Sequence, residues 1–343
     1  MSESEVTREG QSGLRPGSQA VPGSGMIRRG RHRRGEQPMV PPAEFTSYYG
    51  KPVVNGPVWH GPDIPGYLFL GGLAGASSLL GAGAQLTARP SLARAAKAGA
   101  FGAGCLSMVA LVHDLGRPAR FLNMLRVIKP SSPMNIGSWL LSAYVPATGM
   151  AAVSALTGRV PRLGVAATAG AALLGPGVAA YTGALISDTA VPAWHDGYPE
   201  MPFLFAGSAA TAAGGLGLLA APPDQNAPAR NLGLFGACLE LAASHLMTRR
   251  IGMVAEPYRQ GRGGAYMKAG EALAILGAVG SLVSGRRRAV GVMSGAALLA
   301  ASAATRWGIF HAGLASADDP KYTVVPQRER LSRRGQVSTP DAG

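Results

Sequence analysis

Residues 93–113 read ARAAKAGAFGAGCLSMVALVH, residues 113–134 read HDLGRPARFLNMLRVIKPSSPM, and residues 136–157 read IGSWLLSAYVPATGMAAVSALT. The two outer stretches are apolar and close to the roughly 20 residues that a helix needs to span a bilayer. The stretch between them carries His113, Asp114, Arg117, Arg120, Arg126 and Lys129. An apolar run, a charged connection and a second apolar run read as two spans joined at the membrane surface, because charge at the bilayer centre is costly.

Runs of the same kind recur outward from this pair at 66–87, 163–186, 202–221, 230–248, 265–284 and 288–311. The expectation is therefore an all-α integral membrane protein of about eight transmembrane helices. Basic turns separate neighbouring runs at Arg159-Val160-Pro161-Arg162 and at Arg286-Arg287-Arg288. A break at Gly175-Pro176-Gly177 would change the count by one.

Composition agrees. Only 15% of the 343 residues are charged, against roughly 25% in soluble domains. The 49 glycines suit close helix packing in lipid. Mean hydropathy is just +0.15, because polar tails dilute an apolar middle. Residues 1–44 are rich in Ser, Gly, Pro and Arg and are expected to be a disordered basic tail. Residues 45–315 form the membrane domain and 316–343 a polar C-terminal tail. The arginine run at 28–34 is not followed by an apolar segment until near Tyr67, so it reads as neither a secretory nor a twin-arginine signal. Cys105 and Cys238 stand alone in apolar runs, with no CxxC. They read as small buried residues, and no zinc or iron–sulfur cluster is expected to be held by this chain alone. No nucleotide-binding glycine motif or internal repeat is evident.

An even number of spans puts both tails on one side. His60, His113, His195, His245 and His311 then fall at or near tail-side ends, with Asp63, Asp114, Asp188, Asp196, Glu200, Glu256, Glu271, Asp318 and Asp319. The other side has Asp224 and otherwise basic residues. Glu240 lies inside the sixth span. Proton-active groups thus gather at one membrane face, which is where a functional site is expected. The arginine-rich tail assigns that face to the cytoplasm. In the 113–134 connection, Phe121, Leu122, Leu125 and Ile128 fall on one face, as in a short interfacial helix. It reads either as a headgroup contact or as a docking platform built on Arg120, Arg126 and Lys129.

The loop HDLGRPARFLNMLRVIKPSSPM with Gly137-Ser138-Trp139 resembles the NrfD/polysulfide reductase membrane-subunit family. SYYGKPVV at 47–54, DIPGYLFLGGLAG at 63–75, YTGALISDTAVPAWHD at 181–196, ELAASHLMTRR at 240–250 and RWGIFHAGLASADDP at 306–320 are similar to it as well. The resemblance covers roughly residues 45–325. It implies two four-helix bundles without haem or iron–sulfur cluster. It also implies docking to a four-cluster iron–sulfur subunit that carries a molybdopterin catalytic subunit, and a quinone site near the docking face. Electrons would pass between the clusters and the quinone.

Under that resemblance, the candidates for the quinone site and its proton path are Asp63, Tyr67, His113, Asp114, Arg117, Tyr144, Tyr181 and Glu240. His245 and Glu271 are weaker candidates. Arg117 is a possible partner for Asp114. Menaquinone as acceptor, a formate dehydrogenase-like partner and residence in the cell membrane complete the expectation, with no nucleic-acid partner. Alternatives are a passive anchor without a quinone site, a small-molecule or ion transporter using Glu240 and Glu271, and a haem carrier using His113 and His245.

Overall fold

The computed structural model describes residues 53–337 except 55, 58, 60, 118 and 286, together with residues 6–7 and 10–11. Most of the expected N-terminal tail, part of the 47–54 motif and His60 lie outside the described residues. Strands β1 (Val6–Thr7) and β2 (Gly10–Gln11) pair antiparallel.

Everything else regular among the described residues is helical. The long helices are α1 (Asp63–Leu86), α2 (Pro90–Asp114), α4 (Pro133–Thr157), α5 (Pro161–Ser187), α7 (Met201–Ala220), α8 (Ala227–Arg250), α10 (Gly261–Ser284) and α11 (Arg288–Asp318). Short helices α3 (Ala119–Met124), α6 (Pro192–His195) and α9 (Glu256–Arg259) lie in the connections, and α12 (Lys321–Val337) follows in the polar C-terminal segment. The eight long helices coincide with the eight apolar runs. Among the described residues, seven are long and apolar enough to cross a membrane. Helix α8 has the length, but Glu240, His245 and its terminal arginines lower its hydropathy.

Proline starts several helices, where its missing N–H costs nothing. In α4, Pro133 follows Ser132, whose Oγ accepts from Asn135 N, and Gly158 closes the helix in the left-handed region. Helix α5 runs unbroken through Gly175-Pro176-Gly177. Inside a bilayer, neighbouring helices keep a proline-containing helix viable.

Helices α1, α2, α4 and α5 pack as one bundle. Helices α7, α8, α10 and α11 form a second. In α1 and α7, 72% of the apolar window is buried, against 28–39% in the other candidate spans, so these two are the inner helices. Backbone meets backbone where they touch their neighbours. A Cβ on Gly75 of α1 would stand 2.5 Å from the Gly175 carbonyl oxygen of α5, and one on Gly214 of α7 would stand 2.4 Å from Gly233 Cα of α8. Such approaches let dispersion drive association where lipid removes the hydrophobic term.

Two expectations change. The interfacial helix α3 is only six residues long. Asn135 Nδ2 takes the Met124 carbonyl at 2.6 Å while its Oδ1 accepts from Lys129 N at 2.7 Å. The backbone therefore turns before Leu125 and Ile128 can complete the apolar stripe. Second, Cys105 is half-buried and Cys238 exposed. Cys238 shares the outward face of α8 with Phe235, where lipid, not protein, accommodates an apolar side chain.

Candidate functional site

At the tail-side end of the first bundle, α1, α2, α4 and α5 enclose a cavity of about 110 Å³. Its walls are Ile64, Leu68, Leu111, Leu185, Ile186, Met124 and Met134; its polar groups include Tyr67, Asp114, Ser138 and Tyr181. Tyr67 and Tyr181 hydrogen-bond to one another through their hydroxyls. Tyr67 is 2% exposed, and its carbonyl accepts from Ser107 Oγ at 3.1 Å. Tyr181 keeps its place because residue 137 is glycine: a Cβ there would lie 2.3 Å from the Tyr181 ring.

His113 and Asp63 do not line this cavity but stand next in sequence to two residues that do, Asp114 and Ile64. His113 Nδ1 is 2.7 Å from Asp63 Oδ2, with the His113 side chain 76% exposed and Asp63 17%. This pairing joins water to the covered end of α1. Asp114, one residue on, turns to the cavity. Trp59 adds a further wall and stacks on Trp194 with centroids 5.3 Å apart. Trp194 is in turn fixed by donating from Nε1 to the Ile309 carbonyl at 2.7 Å.

Of the sequence candidates, Tyr67, Asp114 and Tyr181 line one cavity, while Asp63 and His113 pair with each other beside lining residues Ile64 and Asp114. Arg117 is exposed on the loop beyond α2. Tyr144 lies fully buried one layer deeper, sharing a 2.6 Å hydrogen bond with Ser78 Oγ. Glu240 belongs elsewhere, to a separate cavity in the second bundle with His245 and Glu271. His113 and His245, the pair proposed for haem, thus sit in different bundles. Among the described residues, no three His, Cys, Asp or Glu side chains converge as metal ligands.

Arg120, Arg126 and Lys129 are exposed on the 113–134 connection. Arg120 Nη1 donates to the Leu115 carbonyl at 3.0 Å, holding the turn, and Trp139 Nε1 ties Val127 to α4 at 3.3 Å. Leu122, Val127 and Ile128 stand outward beside them. Gly137 and Arg306, important to the arrangement, occur in the sequence motifs, yet only the packing reveals their parts. Arg306 had a signal of its own: an arginine within an apolar run.

A family profile described as "Polysulphide reductase, NrfD" matches residues 51–223, just over half of the chain. The chain belongs to the NrfD family. A search of curated proteins gives no match. The matched segment contains the whole first bundle and the cavity with Tyr67, Asp114 and Tyr181. This NrfD-family chain is a multi-pass membrane subunit of an oxidoreductase complex. The family interacts with quinones and works with iron–sulfur and molybdopterin subunits.

Proposed function

We propose that the first-bundle cavity receives a quinone headgroup and that the chain passes electrons between a docked four-cluster iron–sulfur subunit and that quinone. The observation that carries this is the convergence of Tyr67, Tyr181 and Asp114 in one apolar-walled cavity. A ring with two carbonyls needs a few placed polar groups within an apolar slot. The Tyr67–Tyr181 pair supplies hydroxyl donors and Asp114 a group able to accept or release a proton. At about 110 Å³ the cavity suits a headgroup and not a whole ligand of drug size, roughly 300–1,000 Å³. The isoprenoid tail then lies outside, and the open apolar groove of Met108, Val109 and Val112 beside His113 gives it a track.

Quinone reduction consumes two electrons and two protons. His113 and Asp63 carry protons from water to the cavity edge, Asp114 and the tyrosine hydroxyls hand them on, and the walls keep the headgroup dry. The exposed Arg117, Arg120, Arg126 and Lys129 meet acidic groups of the iron–sulfur subunit, with Leu122 and Ile128 as the apolar part of the contact. In this account menaquinone is the acceptor, a molybdopterin protein of formate dehydrogenase type completes the complex, and the tails face the cytoplasm of the cell membrane.

Mild-detergent purification of the tagged chain from its native membranes tests the assembly. Iron, molybdenum and two companion chains are expected. A chain that comes alone and metal-free contradicts the reading and returns transport to consideration.

A further inference from the structure

Helix α10 carries two charges on its outer surface. Lys268 and Glu271 are exposed, and neither makes a hydrogen bond or ion pair with any described residue. They stand seven and ten residues after Gly261, the start of α10. At about 1.5 Å per residue they lie about 10 and 15 Å along the helix, which crosses a hydrocarbon layer of roughly 30 Å. A lysine reaches back toward the interface on its long stem. A glutamate at that depth does not.

A charge turned to lipid is costly, and charged groups inside a membrane are characteristically paired or turned to protein. The bundle itself does not seal this face. Both residues border the cavity of about 320 Å³ between α8 and α10, and only 28% of the apolar window of α10 is buried. The spacing of its side chains is that of a helix pair. Lys268, Glu271, Ile275, Ala278 and Leu282 follow one another at steps of three, four, three and four residues, as along the seam of a two-stranded, left-handed coil. Ile275 is 46% and Leu282 61% exposed, and Ala278 is small enough to let two backbones approach. With 3.6 residues per turn, Lys268 and Glu271 point about 60° apart, one on each side of the seam. Across a two-fold axis parallel to the helices, Lys268 of one copy therefore meets Glu271 of the other, and the reverse. Such a contact is isologous, and it pairs both charges that a single chain leaves unpaired.

We propose that two copies of this chain pair in the membrane through α10, with reciprocal Lys268–Glu271 ion pairs at the tail-side half of the seam and Ile275 and Leu282 packed beyond them. The occupant is a second copy because the face supplies its own complement, one positive and one negative charge a single turn apart. A lipid headgroup does not descend to the level of Glu271. The membrane sets the helices parallel, since every copy inserts with the same end toward the tail side. The contact lies in the second bundle and stands whether or not the first bundle binds a quinone.

The test uses the full chain in its native membranes, lacking Cys105 and Cys238, with single cysteines introduced on α10 and oxidised to disulfides. I275C and L282C are expected to give a cross-linked species that contains this chain alone, and A269C, which is exposed but off the seam, none. In the I275C chain, K268E or E271K expressed alone sets like charges against one another and lowers the cross-link severalfold. Co-expressed under different tags, the K268E and E271K chains are expected to cross-link to each other and regain the lost yield, because every opposed pair then has opposite sign. That regain separates a contact between copies from a Lys268–Glu271 pair within one helix. Where a charge variant fails to accumulate, the pattern of the three cysteines decides. No cross-link from I275C and L282C overturns the proposal, as does a cross-link to a different protein, an A269C yield equal to theirs, or a yield that the charge variants leave unchanged.

Discussion

His113 Nδ1 lies 2.7 Å from Asp63 Oδ2, so the last turn of α2 is tied to the first residue of α1 beside the Tyr67–Tyr181 cavity. The imidazole stands in water and the carboxylate is largely covered. The pair is therefore placed to exchange protons across the boundary, and it also fixes the angle at which two helices of the bundle meet the surface.

If this pair feeds protons to the cavity, D63N and H113A each lower quinone reduction by the intact complex by roughly 10²-fold, the low end of what a positioned acid or base contributes. Assembly on a native gel stays normal. Steady-state assays beside the gel separate a proton role from a docking one: a passive anchor predicts unchanged turnover.

Gly137 is required by the Tyr181 ring. G137A places a methyl 2.3 Å from Tyr181 Cε2, and relief by shifting the ring breaks the Tyr67–Tyr181 bond. Overpacking of this kind costs about 1–3 kcal/mol. A lowered melting temperature together with a raised KM for quinone is the expected result.

Ser78 is the hydrogen-bond partner of the buried Tyr144 hydroxyl. S78A strands that hydroxyl and lowers stability by about 1–3 kcal/mol. The double variant with Y144F recovers part of the loss, because both polar groups are then gone. Thermal unfolding in detergent measures both.

Arg250 grips Glu200 with Nε–Oε1 at 2.6 Å and Nη2–Oε2 at 2.7 Å, fastening the end of α8 to the start of α7. Hydrogen bonds from Arg250 hold the Glu200 carboxyl below its ordinary range. A depressed carboxyl stabilises the fold above its unfolded-state pKa, and the contribution disappears as pH falls through the folded-state value. E200Q therefore lowers the melting temperature at neutral pH, by the equivalent of about 1 kcal/mol or less since Arg250 is solvent-exposed. The difference from the unsubstituted chain vanishes in acid.

Sequence patterning records some of these features and not others. Apolar length and basic turns located all eight long helices, because bilayer thickness dictates both. The grouping of Asp63, Tyr67, His113 and Asp114 followed from chain reversal: the start of one span and the end of the next must share a membrane face. Depth along a helix was also readable, but bundle membership was not. Glu240 sits in the second bundle because Gly207 and Gly236 bring α7 and α8 together, and such packing is invisible to a count of spans. The short α3 had a similar cause, since Asn135 captures the Met124 carbonyl across an 11-residue gap. Pro176 stays inside α5 because neighbouring helices keep a proline-containing span viable, and a single run of sequence does not record those neighbours.

The central claim is that Tyr67, Asp114 and Tyr181 surround a quinone headgroup. The most direct measurement is photo-crosslinking of the intact complex with an azidoquinone, followed by peptide mapping. The account predicts label on α1 near Ile64–Leu68 and on α5 near Tyr181–Ile186, competed away by unlabelled quinone and reduced in D114N. Label confined to other helices, or label on these that excess quinone leaves unchanged, would contradict it.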